Sequence, residues 1–194
     1  MIERLDLFRS VAAARTDEIV VMTMTATLQW PLVSDHDLDF DFLAFGMGHA
    51  SDFGLGLALA RPERKVIVWK GDGGLLMSLG SLVTMGRYAP PNLLVFLLEN
   101  RTYEMVGGQE LPPAVDFVGL ARSAGIAKVE RIETLDEFDR ELPRLLTEPG
   151  PHFVVLPVEN HELLPKVNHS DHTGRVTRLR AALGVEVGEG EVHR

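Results

Sequence analysis

Five short apolar runs rich in strand-forming residues, at 19–24, 65–69, 93–98, 128–132 and 152–158, alternate with segments whose apolar residues recur at helical spacing. A strand that is apolar on consecutive positions must be covered on both faces, and helices between successive strands supply that cover. The pattern therefore predicts an α/β fold with a mostly parallel sheet and helices on both faces. The helical segments are 51–60, 75–88 (Leu75, Leu76, Leu79, Leu82 and Val83), 115–124 and 135–146. Pro90-Pro91, Pro112-Pro113 and Pro149-Gly150-Pro151 mark their ends or the loops between them. No internal repeat is visible. A chain of 194 residues accommodates one full domain, assigned to 1–159, and a polar C-terminal extension, 160–194, with at most one short helix at 175–183.

Charge and composition narrow the function. With 19 basic and 28 acidic residues the net charge is −9, which repels nucleic-acid backbones, so any phosphate bound here is expected to bring a cation. The absence of cysteine excludes disulfides, thiolate zinc sites, cysteine-ligated iron–sulfur clusters and a cysteine nucleophile. The longest apolar run, 93–98, falls far below the ~18 residues of a membrane span, and the first ten residues mix charges with no signal-like stretch. The expectation is a soluble, cytoplasmic protein. Asp35, Asp37, Asp39 and Asp41 alternate as in a calcium loop, but Phe40 and Gly46 stand where such a loop needs glycine and glutamate, so a solvated edge or loop is expected. His161, His169 and His172 match no compact zinc spacing and read as polar tail. Lys70, Arg87 and Arg101 could meet an anionic substrate, though the default reading of each is a surface charge.

The chemistry concentrates at 66–77, Val-Ile-Val-Trp-Lys-Gly-Asp-Gly-Gly-Leu-Leu-Met, a buried strand ending in a glycine-rich turn that opens a helix. In open α/β sheets ligands sit at the carboxyl ends of strands, where helix N-termini offer free N–H groups to anionic oxygens. No Gly-Lys-Ser/Thr follows, and Leu76 replaces the last glycine of a dinucleotide fingerprint. Asp72 is a carboxylate placed where phosphate would go, a conflict that magnesium resolves by binding both. Twenty-eight positions later, at the end of the next strand, stands Asn100, and a strand–helix–strand unit of that length returns the chain to the same sheet edge.

Gly-Asp-Gly at a strand end, with Asn at the end of the next, resembles the diphosphate-binding domain of the thiamine-diphosphate enzymes. The resemblance covers 19–158 and is closest to the small diphosphate-domain subunits of sulfopyruvate and phosphonopyruvate decarboxylases, through the phrases at 46–60 and 71–85. It implies that Asp72, Asn100 and the main-chain carbonyl of Thr102 bind Mg²⁺, and that Gly71 with the amides of Gly73 and Gly74 holds the diphosphate. Met47, between Gly46 and Gly48, matches the residue that bends the cofactor, and the Phe45 carbonyl meets its pyrimidine. Thr25 falls at a diphosphate-contacting loop position, and His49 is the candidate proton-transfer residue.

Five positions depart from the family pattern. Gly74 replaces a frequent serine, Glu99 a first asparagine, and Met24 and Ala26 flank Thr25 in place of small and hydroxylated residues. Val106 stands where some pyruvate-type decarboxylases carry a catalytic glutamate. The implied function is one subunit of a thiamine-diphosphate- and Mg²⁺-dependent decarboxylase of an anionic 3-substituted pyruvate. A partner with a pyrimidine-binding domain would supply the activating glutamate, with α2β2 as the simplest assembly. Two alternatives stay open: a carboligating or oxidative thiamine-diphosphate subunit, and a non-catalytic module binding a nucleotide or diphosphate.

Overall fold

The computed structural model describes residues 1–42, 46–160 and 172–185. Its main sheet has six parallel strands in the order β2 (Asp39–Phe42), β1 (Ile19–Thr23), β3 (Val66–Gly71), β4 (Leu93–Glu99), β8 (His152–Pro157) and β7 (Lys128–Arg131). A two-stranded ribbon, β5 (Thr102–Tyr103) with β6 (Gln109–Glu110), stands outside it. The helices are α1 (Arg4–Ala14), α2 (Thr25–Gln29), α3 (Ala50–Ala60), α4 (Asp72–Met77), α5 (Ser81–Tyr88), α6 (Phe117–Ser123), α7 (Leu135–Thr147) and α8 (His172–Ala182).

Alternate residues of each strand feed two separate cores. Val21, Val68, Val95 and Phe153 face α3, α5 and α6 with Ala58, Met85 and Phe117, while Val20, Trp69, Phe96 and Val154 face α1 and α7 with Phe8 and Phe138. Both faces are covered, which is why the strands read as unbroken apolar runs. On the second face Phe8, Trp69, Phe96 and Phe138 form a chain of ring contacts at 4.7, 4.6 and 5.4 Å, each adding about 0.5–1.5 kcal/mol to area burial. This chain fastens α1 and α7 to the middle of the sheet.

The α/β architecture is as expected, and two local expectations are corrected. The helical pattern over 75–88 is two helices, because the chain breaks at 78–80, where the Ser78 hydroxyl turns away to the Gly48 carbonyl. The aspartate-rich stretch is not all loop, since Asp39–Phe42 is the edge strand β2, with Leu38 and Phe40 in the core. Asp39 pairs with Arg15, and Asp41, also buried, with Arg175. Arg175 belongs to α8, which packs on β2 and places Leu179 in the core, while Arg178 reaches Asp35 and Asp37. His161 and His169, and the side chain of His172, lie outside the described residues.

Strand order reverses between β1 and β3, since the chain leaves β1 for β2 on one side and returns to pair β3 on the other. The crevice outside the carboxyl ends of strands at such a switch is where open α/β sheets bind ligands.

Candidate active site

A cleft of about 110 Å³ opens at that switch point, among others between Thr25, Met47, Asp72, Asn100 and Glu104. Gly71, Gly73, Gly74 and Thr102, all expected at the site, also line it. The volume is small against the ~300 Å³ or more of a typical ligand pocket.

Asp72 starts α4 directly after β3 and is buried. One carboxylate oxygen accepts from the Gly73 N–H at 2.7 Å and the other from the Arg101 N–H at 2.7 Å, which ties the end of β3 to the turn after β4. Burial pushes its carboxyl up to about 6, against the pull of those two N–H donors. Each oxygen retains a lone pair for a further partner. Arg101 holds a left-handed backbone, φ 62°, which turns its N–H toward Asp72. Its side chain pairs with the buried Glu99, which also pairs with Arg131. An asparagine at 99 could not anchor both guanidinium groups by charge.

Asn100 is fixed at both ends of its amide. Its Oδ1 accepts from the Thr102 N–H at 3.1 Å, and its Nδ2 donates to Glu104 Oε2 at 3.2 Å. Thr25 opens α2 after Met24, whose φ of 56° strains the turn, and its hydroxyl donates to the same Glu104 oxygen at 2.8 Å. Behind Glu104 lies Arg4, wholly buried, within 3.1 Å of that carboxylate and bonded also to Gln29 and the Glu159 carbonyl.

Met47 borders the cleft from a short 3₁₀ turn, Met47–His49, that follows Gly46. Backbone contact holds the turn down, because a Cβ on Gly48 would lie 2.6 Å from the Gly74 carbonyl oxygen. Lys70 secures it, its ammonium donating to the Gly48 carbonyl, to Ser51 Oγ at 2.6 Å and to Ser78 Oγ at 2.9 Å. Lys70 is thus no surface charge; it is fully buried, and burial pushes its pKa down to about 8. Gly46 is buried beside the turn but does not line the cleft. His49 is not among the lining residues either: its exposed ring turns to Asp52, three positions on in α3, with Nδ1 2.8 Å from the carboxylate. Phe45 lies outside the described residues.

Sequence reading misses Arg4, Glu104 and Tyr103 of this cleft. Arg4 and Glu104 meet across 100 positions, and nothing local in either segment announces the other. Tyr103 packs on Gly73, where a Cβ would come within 2.7 Å of its ring.

Among the described residues no three His, Cys, Asp or Glu side chains gather as metal ligands. One buried carboxylate with an amide and a main-chain oxygen instead makes a hard, incomplete donor set of the kind Mg²⁺ fills with phosphate oxygens and water. The residues present thus fit a cation bound together with a diphosphate.

Known proteins resemble this chain over most of its length. Residues 21–156 match the family described as thiamine pyrophosphate enzyme, C-terminal TPP binding domain. The phosphonopyruvate decarboxylase of Streptomyces viridochromogenes is 39% identical over 154 residues, 78% of this chain but 38% of that protein. The sulfopyruvate decarboxylase subunit beta of Methanothermobacter thermautotrophicus is 35% identical over 161 residues, 82% of this chain and 83% of its own length. This chain therefore spans about two fifths of the first relative and most of the second. Among solved structures, benzoylformate decarboxylase from Polynucleobacter necessarius shares the fold with a TM-score of 0.71 at 22% identity, over 84% of this chain and 34% of that one. Sheet order, a cleft at the switch point and a match through the whole sheet converge: the chain belongs to the C-terminal, cofactor-binding domain family of the thiamine pyrophosphate enzymes.

Proposed function

We propose that this chain is the diphosphate-binding subunit of a thiamine-diphosphate- and Mg²⁺-dependent 2-oxo acid decarboxylase. Its substrate is an anionic 3-substituted pyruvate of the sulfopyruvate or phosphonopyruvate class. The observation that carries this reading is the buried carboxylate of Asp72, held by two N–H donors among the residues that line a small cleft. Asp72, the Asn100 amide oxygen and the Thr102 carbonyl would hold the cation, while Gly71, the Gly73 and Gly74 amides and Thr25 would hold the diphosphate. Met47, on the turn that follows Gly46 at the border of the cleft, would support the cofactor. His49, in the Met47 turn and paired with Asp52, is the proposed proton-transfer residue.

When bound, the cofactor supplies the electron sink that loss of carbon dioxide from a 2-oxo acid requires. The chain itself neutralises, orients and supports. Among the described residues that line the cleft Arg4 is the one basic side chain, and it is engaged by Glu104. Recognition of a substrate sulfonate or phosphonate therefore falls to groups outside this cleft. The size of the cleft points the same way, toward a partner with a pyrimidine-binding domain that closes the site and brings the activating glutamate. Domain 1–159 carries the site in this reading, with 160–194 as its extension.

Carbon dioxide release from sulfopyruvate, phosphonopyruvate and pyruvate tests the proposal, measured with the chain alone and with its companion, in the presence of thiamine diphosphate and Mg²⁺. Release is expected only from the pair and fastest with the charged substrates. Full activity of the chain alone would overturn the split site, and acetolactate-type products would replace decarboxylation by carboligation.

A further inference from the structure

Asparagine presents an oxygen and a nitrogen of nearly equal size, so which end meets a cation is decided by the neighbours of the amide. At Asn100 both neighbours are one-sided. The Thr102 N–H can only donate, and the Glu104 carboxylate, facing the Arg4 guanidinium, is placed to accept, so the oxygen turns toward Thr102 and the nitrogen toward Glu104. Glu104 is itself immobilised by the buried Arg4 and by the Thr25 hydroxyl, with its side chain only 11% exposed. We propose that Glu104 is a positioning residue for cation binding: through the Asn100 amide nitrogen it directs the Asn100 oxygen to the metal.

This inference rests on the reading of Asn100 as a metal ligand. It adds a part that nothing in the local sequence announces, because Glu104 is anchored by a side chain from the first helix, a hundred positions away. Groups that orient a metal ligand from behind commonly alter affinity by about 10–100-fold when removed. Glu104→Leu cannot accept the amide proton, whereas Glu104→Gln keeps one oxygen in the place of the Oε2 that accepts from both Asn100 and Thr25 but loses the charge that pairs with Arg4.

The experiment is a Mg²⁺ titration of the full chain saturated with thiamine diphosphate, followed by tryptophan fluorescence, in wild-type and Asn100→Ala backgrounds. Thermal midpoints recorded alongside identify the temperature range in which every variant is folded. Glu104→Leu should weaken Mg²⁺ binding about 10-fold or more and Glu104→Gln about 3-fold in the wild-type background. Neither should weaken it further once Asn100 is alanine. If Glu104→Leu does not fold, the same comparison is read from Glu104→Gln. Equal losses in both backgrounds, or none in the wild type, would overturn the positioning role alone. Unchanged Mg²⁺ affinity in Asn100→Ala would overturn the metal-ligand reading beneath it.

Discussion

The ammonium of Lys70 donates to the main-chain carbonyl of Gly48, so the strand that delivers Asp72 also holds down the turn that carries Met47. With Ser51 and Ser78 as its other acceptors, all three donors of the ammonium are used. Lys70→Met keeps the length of the side chain but removes charge and donors. Stability should change by no more than about 1 kcal/mol, because release from the cost of burying the ion offsets the lost bonds. Turnover in the assembled enzyme should fall about 10-fold as the Met47 turn loosens, as expected when a support shifts by an ångström or less. Steady-state kinetics beside a melting curve separate the two effects, and unchanged turnover would make Lys70 ordinary packing.

Asp72 predicts a pH signature of the metal-free chain. Its carboxyl is raised from 3.8 to about 6 by burial, so between those values the native chain binds more protons than the unfolded one. Stability attributable to Asp72 therefore declines as pH rises from about 4 to 6, and the deficit persists above 6. Asp72→Asn removes this dependence. Relative to wild type, the variant should gain about 1–3 kcal/mol between pH 4 and pH 7 in urea denaturation. It should also lose Mg²⁺-dependent cofactor binding. A constant difference between the two proteins across that range would show that Asp72 titrates normally.

Three glycines should respond differently to alanine. At Gly48 the new methyl would meet the Gly74 carbonyl, a backbone atom that cannot swing aside, so Gly48→Ala should cost about 1–3 kcal/mol and weaken cofactor binding. At Gly73 the obstacle is the Tyr103 ring, which is partly exposed and can rotate, so the loss should be smaller. At Gly56, within α3, nothing lies within 4 Å, and Gly56→Ala should stabilise by about 0.5–1 kcal/mol. Melting temperatures of the three variants check the order, and Gly48→Ala more stable than Gly56→Ala would contradict the packing described.

The parallel sheet is legible in the sequence because burial on both faces leaves strands 66–71, 93–99 and 152–157 almost without polar residues. Asp72 and Asn100 are legible because each ends such a strand. The edge strand β2 escapes notice since aspartates alternate with Leu38, Phe40 and Phe42, and their partners Arg15, Arg175 and Arg178 come from distant segments. Lys70 escapes for the opposite reason: a charge flanking a turn reads as solvent-exposed unless the three oxygens that surround it are known. Long-range pairing, which no local window contains, accounts for Arg4 with Glu104 as well.

Arg178 meets Asp37 and Asp35 across 141 and 143 positions, so α8 leaves the ribosome long after the strand it covers. At 5–20 residues per second the interval is roughly 7–30 s, during which β2 is an uncovered sheet margin on a nascent chain. Charged side chains on such a margin oppose pairing with a neighbouring nascent chain. Asp41, which pairs with Arg175 of α8 in the finished protein, is such a charge on β2 itself, and its replacement by a neutral residue should lower the yield of synthesis as well as the stability of the folded chain.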